Sequence, residues 1–292
     1  LAEGTPDYGG GGDATLIGVG AGATEVGQTH IYSGTSGWVG TVMDHQAVDV
    51  AAMMAGIVGA EPGKYNYFAE METAGKCFEW VKDHLVLDEV NVYLAKTDVA
   101  ESRETVYESL YDYMSDTVAK VAPGSGGVLF TPWLHGNRCP FEDAAAAGMF
   151  FNLRLETGKA QMLRAVLEGI CFHLRWMLEV QEKKTKTSDP IRFVGGGALS
   201  PVTCQMLADI TGWTIETVEN TKDVGAIGAA MLAAVGSGAF ASLSDAAKLV
   251  AVNGTYRPDP ANKAVYDRNF RVFRKLYAAN KENFAILNRL EG

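Results

Sequence analysis

The sequence predicts an α/β fold in which a mixed sheet is flanked by helices. Three observations carry this expectation. Strand-like runs cluster early, over 25–43 and near 65–68. From residue 159 onward, helical stripes alternate with short apolar runs. Glycine-rich turns follow several of those runs, the position at which α/β sheets gather their ligands.

Residues 1–12 read as turns and end in four glycines at 9–12. The next segment, 13–24, mixes small residues with glycine and predicts a tightly packed helix. A hairpin is expected over 25–43, where apolar and β-branched residues flank the tight SGTSG turn at 33–37. A third strand is expected near 65–68. Helices follow at about 73–84 and 103–120; in the second, Val106, Leu110, Tyr113, Met114, Thr117 and Val121 recur at helical spacing. The apolar run 128–134 reads as a buried strand and 135–158 as irregular. The clearest helix spans about 159–183, with one stripe from Met162 and Leu163 through Val166, Leu167, Ile170, Cys171 and Leu174 to Met177 and Leu178. A strand at 191–194 runs into three glycines at 195–197. Then come a helix at 201–211, a strand at 213–218 and a helix at 222–236. Pro258 and Pro260 break the chain before a last helix, about 262–289. Its apolar side carries Tyr266, Phe270, Phe273, Leu276 and Tyr277. The sequence leaves three covers open for that side: this domain, another domain, or a second subunit in a homodimer.

The bulk numbers narrow the partners. With 292 residues, 47% of them hydrophobic and 21% charged, the chain can fill one large core or two modest ones. A net charge of −10 argues against non-specific nucleic-acid binding. It leaves a nucleotide open, because a turn of backbone amides holds phosphate inside an acidic protein. Apolar stretches fall short of the roughly 18–20 residues that span a bilayer, so no membrane partner is expected. Cys77, Cys139, Cys171 and Cys204 form no CxxC pair, which points to a reducing, cytoplasmic compartment. The histidines, at 30, 45, 84, 135 and 173, lack metal-ligand spacing, so no protein-built metal site is expected. His173 reads as a satisfied core or surface residue, and Trp133 and Trp176 as core residues. The first residues are acidic and glycine-rich and include no initiator Met, so the sequence reads as a fragment or a processed chain.

Three glycine-rich turns carry the candidate chemistry. In SGTSG, Gly34 and Gly37 let the backbone approach a ligand, Thr35 and Ser36 add hydroxyls, and successive amides make an anion concavity. Alone, it reads more simply as a plain hairpin turn. In GGGALSP, 195–201, the glycines clear space for a flat ring or ribose, with Ser200 as N-cap and Pro201 at the first helical position. Alone, it reads equally well as close helix–strand packing. Asp13 follows four glycines and suits a general base, although a solvated loop carboxylate is the simpler reading of that residue alone. No GxxxxGK[ST] occurs, so a P-loop is excluded.

Together these segments resemble the FGGY family of carbohydrate kinases, most of all its xylulokinase-type branch. The resemblance runs through GGGGD at 9–13, the GTS turn at 34–36, LHGNRCPFEDAAAAGMFFNL at 134–153, QMLRAVLE at 161–168, GGGALSP, and DVGAIGAAMLAA at 223–234. It implies an actin-like ATPase (ribonuclease H-like) domain. It implies 1–22 as the tail of an N-terminal sugar-binding domain, 23–257 as the nucleotide-binding domain, and 258–292 as a C-terminal helix packing across the domain interface. Asp13 would deprotonate a sugar hydroxyl. Gly34, Thr35 and Ser36 would hold the β/γ phosphates of ATP. Gly148 would lie near the nucleotide, and Gly196, Gly197, Ala198 and Pro201 would line adenine and ribose. Mg²⁺ would be held largely by phosphate oxygens and water. The N-terminal sugar-binding half of the same enzyme would be the partner, supplying most contacts to the sugar.

Three positions depart from the family pattern. Asn137 replaces an acid, Ala147 an Arg, and Asn152 a Gly. Two function classes therefore stand at this point. One is an ATP-dependent kinase for D-xylulose, with ribulose, gluconate, glycerol and erythritol open. The other is a non-catalytic nucleotide-binding or regulatory module. LHGNRCP and QMLRAVLE argue against an acetate-type kinase or a chaperone ATPase.

Overall fold

A computed structural model describes residues 2–86 and 109–288. The first helix, α1 (Asp13–Gly20), is followed by β1 (Thr29–Ser33) and β2 (Gly37–Met43), the expected hairpin. Two strands that the sequence had not announced come next, β3 (Val48–Asp49) and β4 (Met54–Val58), and then β5 (Tyr65–Met71). Helix α2 (Gly75–Val81) continues into one wider turn, Lys82–Val86, where the expected helix 73–84 ends. Of the helix expected over 103–120, α3 (Leu110–Ala119) is described, and Val106 lies outside the described residues.

The run 128–134 holds the expected buried strand in shortened form, and the segment 135–158, expected to be irregular, supplies its partner. Only β6 (Leu129–Thr131) is strand, and it pairs with β7 (Met149–Phe151) in a separate two-stranded sheet instead of joining the main one. Pro132 stops it, because proline offers no N–H to extend a ladder. Helix α4 (Lys159–Gln181) follows, then β8 (Ile191–Val194), α5 (Pro201–Thr211), β9 (Ile215–Val218) and α6 (Val224–Gly236), all close to the expected bounds. The short α7 (Leu243–Ala247) and β10 (Val252–Tyr256) were not foreseen, and α8 (Lys263–Asn288) ends the described chain.

The main sheet has eight strands in the order β10-β9-β8-β1-β2-β5-β4-β3. It is mixed: β1, β8 and β9 run parallel, and the rest pair antiparallel. Parallel neighbours put the C-terminal ends of β1 and β8 side by side, and that placement organises the candidate site.

Strand alternation sends Ile31, Val39, Tyr67, Ile191 and Phe193 to one face, where α4 and α5 cover them. His30, Tyr32, Trp38, Phe68 and Val194 face the other side, under α1 and α6. Gln181, at the end of α4, donates to Val39 O at 2.9 Å and Tyr67 O at 2.8 Å, tying helix to sheet. Arg164 and Glu168 form a buried pair at 2.8 Å. Glu168 also accepts from Gly124 N–H and Ser125 Oγ, so its charge is fully bonded.

The apolar side of α8 is covered by this same body. Tyr266, Phe270, Phe273, Leu276 and Phe284 are buried in the α4-side core, and Tyr277 stacks on Phe141 at 3.6 Å. His173 is fully buried: Trp133 Nε1 donates to its Nδ1 at 3.2 Å, and its Nε2 reaches Cys139 O at 2.7 Å.

Candidate functional site

The turn between β1 and β2 is held from behind by α2. The amides of Ala74 and Gly75 donate to Thr35 O at 3.0 Å and Gly34 O at 2.7 Å. Gly34 N–H donates to Ser36 O at 3.0 Å. Two carbonyls of the turn are thus committed to the start of α2, and Thr35 stands exposed at the tip.

The second turn sits against the first. Gly195 has φ +91°, a left-handed value suited to glycine, and a methyl group there would lie 2.7 Å from Ser33 O. A methyl on Gly197 would lie 2.9 Å from Ser33 Oγ. Gly195 N–H donates to both the carbonyl and the hydroxyl of Thr221, each at 3.1 Å, which fixes the turn to the loop after β9. Ala198 N–H donates to Gly195 O at 3.2 Å. Ser200 caps α5 by accepting from Thr203 N–H at 3.4 Å, and Pro201 occupies the first helical position.

Gly34 and Gly195–Gly197 are therefore brought together around Ser33. Gly196 lies at the edge of the group, where an added methyl would sit 3.9 Å from Ser33 O. Gly148 is set back. A methyl there would meet Leu134 Cδ2 at 2.6 Å, and its link to the first turn runs through Thr73, whose Oγ1 donates to Pro132 O at 2.7 Å. Asp13 stands apart and exposed at the N-terminus of α1, its Oδ1 accepting the Ala14 N–H at 2.8 Å.

Three residues that sequence reasoning did not single out shape this region. Tyr32 stacks on Trp38 with ring centroids 4.1 Å apart. Trp38 Nε1 donates to His30 Nε2 at 3.1 Å. Burial pushes the His30 imidazole down to about 4, so it is neutral and free to accept that bond. The alternation of β1 and β2 was the available signal, since it places His30, Tyr32 and Trp38 on one face of the hairpin.

The departures in 134–153 are accommodated locally. Asn137 is buried, and its Nδ2 donates to Cys139 O at 3.0 Å and Phe141 O at 2.8 Å. Asn152 takes φ +66°, the left-handed region that asparagine tolerates better than most residues, and bonds Gly127 O at 3.0 Å. Ala147 accepts from Thr131 Oγ1 at 3.3 Å through its carbonyl, and nothing in the structure explains its replacing an arginine.

An α/β body with glycine turns paired at adjacent parallel strand ends has the architecture of nucleotide-binding domains. The family model for the C-terminal domain of the FGGY family of carbohydrate kinases matches residues 30–237. The chain belongs to the FGGY family of carbohydrate kinases. It is 31% identical over 282 residues to a xylulose kinase of Lactococcus lactis, covering 94% of this chain and 51% of that protein. The structure of xylulose kinase from Rhodospirillum rubrum superimposes with a TM-score of 0.81 at 25% identity, over 97% of this chain and 53% of the other. Gluconate kinase from Lactobacillus acidophilus gives 0.79 at 26%, over 94% and 51%. The fold is the actin-like ATPase fold of these kinases, and the chain spans about half the length of the relatives it matches.

Proposed function

We propose that this chain is the ATP-binding half of a kinase that phosphorylates a sugar hydroxyl, D-xylulose before other sugars. The observation that carries the reading is the contact of the Gly34 turn with Gly195 and Gly197 at adjacent parallel strand ends. The glycines let the two turns pack against each other at these strand ends, and on this reading the nucleotide lies across them. Thr35 and Ser36 hold the β/γ phosphates through amides and hydroxyls, and Gly34, whose own N–H is bonded to Ser36 O, lets the backbone come close to them. Adenine and ribose lie on Gly196, Gly197, Ala198 and Pro201, with Gly148 nearby.

Asp13 accepts the proton of the sugar hydroxyl as the sugar oxygen bonds to the γ-phosphorus; the bond from that phosphorus to the β–γ bridging oxygen breaks, and ADP leaves with that electron pair. Its exposure suits a group that meets substrate only when a second domain closes over it. Closure also excludes water and so suppresses ATP hydrolysis. In this division of roles, 1–22 finishes the sugar-binding domain, 23–257 binds nucleotide, and 258–292 buttresses the interface between domains. Among the described residues, no group of three or more His, Cys, Asp or Glu converges to hold a metal. Mg²⁺ on this reading is bound by phosphate oxygens and water, and it supplies charge neutralisation at the transferring group. The four unpaired, buried thiols favour a reducing, cytoplasmic location. The likeness to xylulose kinases supports xylulose, and the likeness to a gluconate kinase keeps gluconate as the second sugar to test.

The test is sugar-dependent ADP release by the full-length parent across xylulose, ribulose, gluconate, glycerol and erythritol. Xylulose is expected to give the highest kcat/KM, with residues 1–292 alone giving no sugar-dependent turnover. ADP release with none of the five sugars, or robust phosphorylation by residues 1–292 alone, contradicts the reading.

A further inference from the structure

We propose that Tyr32 is a nucleotide-binding residue whose hydroxyl donates to a phosphate oxygen held beside the first turn; this rests on the nucleotide reading above. Tyr32 lies on β1, two residues before Gly34 in the turn that follows. Its ring leans forward into both turns. A methyl added to Gly34 would lie 2.1 Å from Tyr32 Oη, and one added to Gly195 would lie 2.9 Å from Tyr32 Cε2. One side chain therefore touches both glycines around which the candidate site is built, with its hydroxyl on the side of the GTS turn.

The phenol is held in place before any ligand arrives. It stacks on Trp38 at 4.1 Å and 21°. Trp38 is in turn packed against Phe68 at 5.7 Å and anchored through its indole N–H to buried His30. Ordering a preorganised ring costs little on binding, whereas a free tyrosine would lose rotamer entropy.

The hydroxyl itself lacks an acceptor. Among the described residues Tyr32 Oη makes no hydrogen bond, while the carbonyls of Gly34 and Thr35 accept from the Gly75 and Ala74 N–H groups. A half-buried phenol aimed at an anion concavity finds its strongest acceptor in a phosphate oxygen, because a charged acceptor strengthens the bond. The ligand class is a nucleoside di- or triphosphate.

The experiment is calorimetric titration of the 292-residue chain and its Tyr32→Phe variant with ADP and ATP, with melting curves for both proteins. Phenylalanine keeps the stack and removes only the hydroxyl. Affinity for both nucleotides is expected to fall about tenfold with the melting temperature unchanged. Equal affinities in the two proteins overturn the role of Tyr32 and leave the nucleotide reading standing. A loss of affinity accompanied by a lowered melting temperature also overturns it, since the hydroxyl then serves the fold. Absence of nucleotide binding by the unaltered chain overturns the nucleotide reading and the role of Tyr32 with it.

Discussion

Gly20 on α1 and Gly228 on α6 meet backbone to backbone. A methyl group on Gly20 would lie 1.8 Å from Val224 O and 2.9 Å from Gly228 N, and one on Gly228 would lie 2.0 Å from Leu16 O. Only glycine permits that approach. The helix that begins at Asp13 is thereby fixed to the helix that follows the Thr221 loop, and Thr221 is what holds Gly195.

Gly20→Ala is expected to be destabilising, because the obstacle is rigid backbone and not a movable side chain. The loss should reach or exceed about 1–3 kcal/mol by urea denaturation. Gly225→Ala on α6, the facing helix, is the control. Its methyl would meet Ile17 at an ordinary 3.4 Å, so helix propensity should make it neutral or stabilising by up to about 1 kcal/mol. Equal losses for the two variants would remove the close approach as the cause.

Gly195→Ala should damage the site more than the fold. It forces a methyl into the left-handed region and against Ser33 O, prising the two turns apart. A stability cost of about 1–3 kcal/mol is expected, with ADP affinity lowered at least about tenfold. Gly212→Ala has a similar φ, +79°, but open space around it, so it should cost stability alone. Calorimetric titration of both variants separates strain from site geometry.

Acid should destabilise the protein through two buried histidines. Burial holds both His30 and His173 down to about 4, below the ordinary value of 6.5. Between those pH values the unfolded chain binds more protons than the folded one. Stability is therefore full above about pH 6.5 and falls as pH falls towards 4, by up to about 1.4 kcal/mol per pH unit for each ring. Urea midpoints across pH 4–7 give the slope. His173→Gln should flatten it by about half; an unchanged slope would clear His173 of the effect.

The parts of the fold that were legible in the sequence are those with clean periodicity or punctuation. The stripe along α4 and the Ser200–Pro201 start of α5 gave boundaries within a residue or two. Strand β4, Met54–Val58, was hidden because Ala55 and Gly56 blur the alternation of apolar and polar residues. β10 was hidden for a related reason: Asn253 and Gly254 sit at a register shift on the sheet edge, where strand propensity is weak. In the site, the glycine turns announced themselves. The Tyr32–Trp38–His30 group did not, because it assembles only when hairpin register sets Tyr32 opposite Trp38.

The central claim is that Asp13 serves as the base of a sugar kinase whose nucleotide lies on the Gly34 and Gly195–Gly197 turns. Its most direct test is sugar-dependent ADP release by the full-length parent carrying Asp13→Ala, with ATP affinity measured in parallel. The account predicts turnover reduced at least about a hundredfold and ATP affinity nearly unchanged. Turnover retained at more than a few per cent of the unaltered enzyme, a loss smaller than base catalysis supplies, would contradict it.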